Sequence, residues 1–241
     1  SGIVIVNKKL HDYIRARVGK KDYDVIQIFS NVPKGNNAEM SLLNYFIKIH
    51  GVHQIQLSDS QNVTIFPKNQ DIILKKNRYF DFHGKIRAGM FLFAGSNFAF
   101  NYDIFKITMP DIKYMKMQVI SNKKDKNGRF IPVIVKNKVS DMSGELLIDA
   151  PDDKSGKKGL AEYPKFKSFR NSYVYFDNKK IQHGIYKRDK FYFQVFPYEM
   201  DSLDNFDPAS IKFKGHFTSA GIFPDFDESL TIQEDYSLGF K

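Results

Sequence analysis

The sequence predicts an all-β fold: an elongated, solenoid-like or curved β-sheet array with at most one or two short helices. A two-part β-sandwich is the alternative. Three observations predict it. Short apolar runs recur along the chain, and many alternate with polar residues, as in Ile47-Lys48-Ile49 and Ile55-Gln56-Leu57, so one face is buried and the other wet. Asn, Asp, Gly, Ser or Pro separates most of the runs, which is turn chemistry. The chain holds 23 Phe and 13 Tyr and no Trp, so those two residue types carry all the aromatic burial. Each buried ring removes on the order of 150–250 Å² from water, so the core rests on aromatics more than on Leu.

Ile3–Val6 and Val25–Phe29 open the series of strands, the second closed by Asn31, Pro33 and Gly35. Phe46–Ile49, His53–Leu57, Val63–Phe66, Ile72–Leu74, Tyr79–Phe82, Met90–Phe93, Phe98–Tyr102 and Phe105–Thr108 follow. Tyr114–Ile120 and Ile131–Val135 flank the loop Asn122–Arg129, where Asn127-Gly128 is a strong hairpin signal. Glu145–Ile148, Tyr173–Phe176, Gly184–Tyr186, Phe191–Phe196, Ile211–Phe217, Leu230–Ile232 and Ser237–Phe240 complete the set. Lys9–Val18 has helical apolar spacing at Leu10, Tyr13, Ile14 and Val18, with Gly19 as a stop. Ala38–Phe46 reads as a short helix or as a strand pair around Asn44, with strands on both sides favouring the pair.

The polar stretch 150–159 is the natural internal boundary, giving a first β unit over 1–149 and a second over 160–241 packed on it, or one continuous domain. One motif occurs in both units. Phe82-His83-Gly84 leads to Ala88-Gly89-Met90-Phe91, and Phe213-Lys214-Gly215 leads to Ala220-Gly221-Ile222-Phe223. The expectation is that Gly84 and Gly215 occupy equivalent bulges or close crossings, each beside a buried Phe. A solenoid repeat of fixed short period is not visible.

The absence of Cys excludes disulfides, thiolate nucleophiles and Cys-based metal centres. The net charge of +10 comes from 37 basic and 27 acidic residues. Its densest groups, Lys123, Lys124 and Lys126, then Lys154, Lys157 and Lys158, sit in loop contexts, so a solvated surface is favoured over a nucleic-acid footprint. No apolar run spans a membrane. The chain opens on Ser1-Gly2 and ends on the alternating run Tyr236–Lys241, so a fragment of a longer chain is expected.

The stretch FDFHGKIRAGMFLFAGSNFAFNYDIFKITMPDI, and the ending GHFTSAGIFPDFDESLTIQEDYSLGF, resemble long cell-envelope β proteins of the Bacteroidetes type and, more distantly, AsmA/TamB-like β-groove proteins. The resemblance implies a β-rich, extracytoplasmic, non-enzymatic segment in the periplasm, outer membrane or cell surface. Its partners would be the remainder of its own chain or other envelope proteins, with a glycan or a lipid as ligand. The resemblance carries over no catalytic, cofactor or metal residues.

Candidate chemistry is sparse. His11, His50, His53, His83, His183 and His216 lack ligand spacing, although His50 and His53 lie near Asp59 and Asp81 stands two residues from His83. Asp201, Asp204 and Asp207, then Asp225, Asp227 and Glu228, could offer carboxylates for glycoside hydrolysis or calcium, or simply cap turns. Gly156-Lys157-Lys158-Gly159 lacks the phosphate-loop spacing and reads as a flexible loop, and Ser58-Asp59-Ser60 reads as a turn. Tyr173, Tyr175, Tyr186, Tyr192 and Tyr198 interleave with Lys179, Lys180, Lys187, Arg188 and Lys190, a face able to stack sugars or bases. The intervening Phe176, Phe191, Phe193 and Phe196 should be largely buried. Phe91, Phe93, Phe98 and Phe100 either join a closed core or line an apolar trough for lipid. A structural or binding segment without catalysis is the leading expectation. A polysaccharide-active enzyme on a β-helix and a lipid-conducting groove are the alternatives.

Overall fold

A computed structural model describes residues 2–7, 25–154, 156–177, 183 and 185–240. It is mostly β, with short 3-10 turns and no α-helix among the described residues. The strands are β1 (Gly2–Asn7), β2 (Val25–Ser30), β3 (Ala38–Met40), β4 (Ile47–Ile49), β5 (Ile55–Ser58), β6 (Val63–Pro67), β7 (Ile72–Leu74), β8 (Tyr79–Ala88), β9 (Phe91–Asn101) and β10 (Lys106–Lys124). They continue as β11 (Phe130–Ile134), β12 (Val139–Leu147), β13 (Lys165–Ser168), β14 (Ser172–Tyr175), β15 (Phe191–Val195), β16 (Glu199–Met200), β17 (Phe213–Ser219), β18 (Phe226–Ile232) and β19 (Leu238–Gly239). The expected helix over Lys9–Val18 lies outside the described residues, as does Gly184.

β1 and β2 form a parallel pair. The rest is one antiparallel sheet that runs β3-β4-β7-β8-β9-β10-β12 and continues β14-β15-β17-β18-β19. Long strands carry a second partner on their other half. β6 joins β8 beside β5, β13 joins β12 and in turn pairs β16, and β11 joins the end of β10. No ladder among the described residues links β3 to β19, so the sheet is open. Strands on both sides of 150–159 therefore share one hydrogen-bonded sheet.

A line of close backbone approaches, each at a glycine, crosses the sheet. Gly84 faces Gly95, Gly144 faces Ser168, and Val195 faces Gly215. Registers slip beside this line, between Phe82 and Gly84 and between Met109 and Ile112. At Gly95 a Cβ would stand 2.0 Å from the Asp111 carbonyl oxygen, and at Gly215 it would stand 2.0 Å from that of Gln194. Only glycine lets the neighbouring backbone come this close.

The bend curls the sheet around its aromatic face. Phe93 and Phe166 have ring centres 4.8 Å apart, although the ladders β9-β10, β10-β12 and β12-β13 separate their strands. A flat sheet would hold them roughly 14 Å apart. Phe80, Phe91, Phe93, Phe98, Phe100, Phe105, Phe166, Phe193 and Phe213 are all buried there, which makes a closed core. Of the interleaved Phe residues, Phe193 is buried and Phe176 and Phe191 are half-buried, but Phe196 is exposed because it lies in the break between β15 and β16.

Several expectations need correction. Met90–Phe93 and Phe98–Tyr102 merge into β9, because Gly95-Ser96-Asn97 is a bend inside a strand and not a turn. Phe105–Thr108 and Tyr114–Ile120 merge likewise into β10 through Pro110 and Asp111. Ile185 and Tyr186 lie in no strand. Gly84 and Gly215 are not equivalent. Gly84 has φ +140° and abuts the Phe66 carbonyl, whereas Gly215 lies in regular strand under the Phe193 ring. Gly215 matches Gly95 and Gly144, where a Phe ring and a neighbouring carbonyl likewise fill the Cβ position. Contacts hold described parts of the 150–159 stretch. Asp153 is buried and accepts from the Lys158 N–H, and Gly156 sits against Ser60.

Candidate functional site

The bend leaves a groove on the outer face of the sheet, about 1080 Å³ in volume. Its floor holds Gly84, Ala94 and Gly95, whose small size keeps it open, beside the apolar Phe66, Pro67 and Ile73. Outward positions on separate strands and on the turn after β6 bring Lys48, Lys68, Lys85 and Lys113 to its walls. Four carboxylates share the lining, and three are held by cations. Lys48 lies 3.1 Å and His50 2.8 Å from Asp71, Lys75 pairs Asp81, and Arg188 lies 3.1 Å from Asp141. Burial pushes Asp71 up, but the hydrogen bonds from His50 and Lys48 outweigh it and hold the carboxyl below the ordinary range. Asp111 accepts from the Ser96 hydroxyl at 2.5 Å. No carboxylate among the described residues pairs with Lys68, Lys85 or Lys113, so these cations are available to an anion.

Asp141 joins the groove to a tyrosine platform. Its carboxylate accepts from the Tyr175 hydroxyl at 2.9 Å. The rings of Tyr173 and Tyr175 stack at 5.7 Å and 16°, and Tyr192 meets Tyr173 edge-on at 5.7 Å. The Arg188 guanidinium lies 3.8 Å from the Tyr175 ring centre, a cation–π contact. Burial and the hydrogen bond to Asp141 push the Tyr175 hydroxyl up to about 12. The interleaved tyrosines thus form a platform in part, but Tyr198 is not in it. Tyr198 packs inward between Phe166 and Phe213, and burial pushes its hydroxyl far up. Tyr186 stacks instead on Phe191 at 4.1 Å. Lys179 and Lys180 lie outside the described residues.

The histidines do not converge. His50 binds Asp71 and not Asp59, and His53 points to solvent. Asp81 and His83 both line the groove, but the His83 Nδ1 accepts from the Asn97 N–H while Asp81 binds Lys75. His183 is exposed, and His11 lies outside the described residues. Among the described residues no group of three His, Asp or Glu could hold a metal. Asp204 accepts from Asn62, a tie between distant parts of the chain, and Asp207 caps a 3-10 turn through the Ala209 N–H, so both carboxylates serve structure. Asp149 is buried, and burial pushes its carboxyl up, but it lies against Gln61 under the 150–159 loop and away from the groove. Phe91, Phe93, Phe98 and Phe100 belong to the closed core, and Phe91 also borders a smaller pocket of about 560 Å³ beside Phe166, Tyr198 and Phe213.

Asp227 and Asp225 flank His216 at 2.7 and 3.8 Å. The hydrogen bond to Asp227 raises the imidazole above its ordinary value. A raised folded-state value means that protonated His216 favours the fold below the ordinary imidazole pKa. The contribution is lost as pH rises through the folded value. Proton NMR of the His216 ring should give a midpoint above that of a free imidazole, and Asp227→Asn should lower it. An unmoved midpoint would disprove the coupling.

In comparisons with known proteins, no family model, no curated protein and no solved structure matches this chain.

Proposed function

We propose that the chain is a non-catalytic binding segment of a bacterial surface or periplasmic protein, and that the bend groove and tyrosine platform hold an acidic glycan. The supporting observation is the juxtaposition of Lys68, Lys85 and Lys113, which lack carboxylate partners among the described residues, with an apolar floor, and the hydrogen bond by which Asp141 on the groove lining joins it to Tyr175 and its stacked neighbour Tyr173. A sugar ring offers an apolar face for an aromatic platform, and a uronic carboxylate offers the anion that an ammonium binds with a charge-assisted hydrogen bond. The fixed bend serves this role, because a preformed groove spares the ordering cost of binding. The remainder of a longer chain, or other envelope proteins, would mount the segment.

Titration calorimetry with polygalacturonate and with its neutral methyl ester tests the reading. Binding should be restricted to the acid. Lys85→Ala together with Lys113→Ala should weaken it roughly tenfold or more, the scale of lost charge-assisted bonds. Equal binding of the ester, or variants that bind like the parent chain, would rule it out.

A further inference from the structure

The far part of β10 leaves the sheet. β10 last pairs β12 at Met115 and β9 at Met117, and from Gln118 onward its ladder partner is β11 alone. The β10–β11 hairpin therefore reaches 7 residues past β9, from Met117 to Lys124. That is roughly 23 Å at about 3.3 Å per residue. One of its faces is covered, for Val119 and Ser121 are buried. The other is open. Ile120, Phe130 and Ile134 share that face by strand alternation and register, and they are 51, 54 and 59% exposed. Ile131, which points the other way, is still 40% exposed.

The tip adds charge to this apolar face. Lys123, Lys124, Lys126 and Arg129 stand against a single carboxylate, Asp125, whose Oδ1 accepts from the Asn127 and Arg129 N–H groups. The Lys124 ammonium lies 4.9 Å from the Phe130 ring centre. None of the four cations meets a carboxylate among the described residues.

We propose that this hairpin docks on an anionic lipid bilayer, with Ile120, Phe130 and Ile134 entering the acyl boundary and the tip cations meeting headgroup phosphates. A projecting ribbon that combines a bare apolar face with a cationic end matches the two layers of such a surface. A protein partner matches less well, because lysine is depleted at protein interfaces and an apolar centre is normally ringed by a polar rim. In the hairpin the cations cap one end and form no ring.

The absence of Trp and Cys in the chain gives two clean reporters. Phe130→Trp emission should shift to the blue with vesicles of phosphatidylcholine and phosphatidylglycerol in equal parts, and not with phosphatidylcholine alone. Leu43→Trp is the control. Leu43 is 98% exposed in the loop between β3 and β4, at the end of the sheet where β10 begins, and it should not shift. Lys124→Ala and Lys126→Ala should each lower vesicle affinity about fivefold, since each cation near an anionic surface contributes about that factor. Lys126→Cys carrying an environment-sensitive dye gives the same readout if Phe130→Trp perturbs the hairpin. Circular dichroism of each variant confirms folding. The proposal fails if neither reporter responds to anionic vesicles, or if the shift appears at residue 43 instead. It also fails if the hairpin signal changes without lipid as the mass doubles, which would assign the face to a second copy of the chain.

Discussion

Gly95→Ala is expected to destabilise the fold by about 3 kcal/mol or more, and Gly95→Val to prevent folding, because overpacking against fixed backbone lies at the upper end of single-substitution effects. The added Cβ would stand 2.0 Å from the Asp111 carbonyl oxygen and 2.8 Å from the Phe98 ring. The oxygen belongs to the adjacent strand, so no side chain can swing aside. Relief requires β9 and β10 to separate at the bend, where Ser96 and Asp111 line the groove. Gly128→Ala is the matched control. Gly128 lies in the turn between β10 and β11, has φ +77° and has nothing within 4 Å of the Cβ position. Alanine there meets only the left-handed penalty of about 1–2 kcal/mol. Urea denaturation of both variants compares them directly. A Gly95→Ala loss no larger than that of Gly128→Ala would refute the close crossing.

Phe93→Ala should cost about 3–5 kcal/mol, the range for removing a fully buried ring. Phe93 has no exposed surface, and its ring meets Phe166 across the curl at 4.8 Å. The loss therefore combines the transfer of the ring with a cavity at the place where the two arms of the sheet close. Phe169, which is 51% exposed, supplies the comparison. Phe169→Ala should stay within about 1 kcal/mol. Phe93→Ala combined with Phe166→Ala should also be non-additive by about 0.5–1.5 kcal/mol, since each ring is the other's neighbour. Additive losses would mean that the two rings do not touch, and would flatten the sheet.

The strands were legible because most carry an apolar-polar alternation, as in β8, where Phe80, Phe82 and Ile86 point inward. Their lengths were less legible. Glycine, serine and asparagine between apolar runs usually mark a turn. In β9 the same residues mark a bend, since the partner strands bend at the same level and the ladders continue through it. β13 was missed because Lys165-Phe166-Lys167-Ser168 offers a single large apolar side chain, and β16 because it has two residues. The tyrosine platform was half visible. The spacing of Tyr173 and Tyr175 puts them on one strand face, but nothing local distinguishes Tyr198, whose position after the break turns it inward. The groove lysines were not visible. Lys68, Lys85 and Lys113 are far apart along the chain, and only the bend gathers them. The shared Phe-x-Gly motif marked the bend line but not which glycines correspond, because that depends on the partner strand.

The open sheet bears on how the chain behaves when crowded. Unpaired strand edges invite another chain to add on, and long flat apolar edges seed aggregates. The ladder here finishes in some of its shortest members, the 3 residues of β3 and the 2 of β19, so an intruding strand gains few hydrogen bonds at either side. β11 is a longer free edge, and it carries Pro132 at its centre, where one N–H is missing from any pairing. Growth is thus hindered by brevity at the two ends of the ladder, and along β11 by one proline.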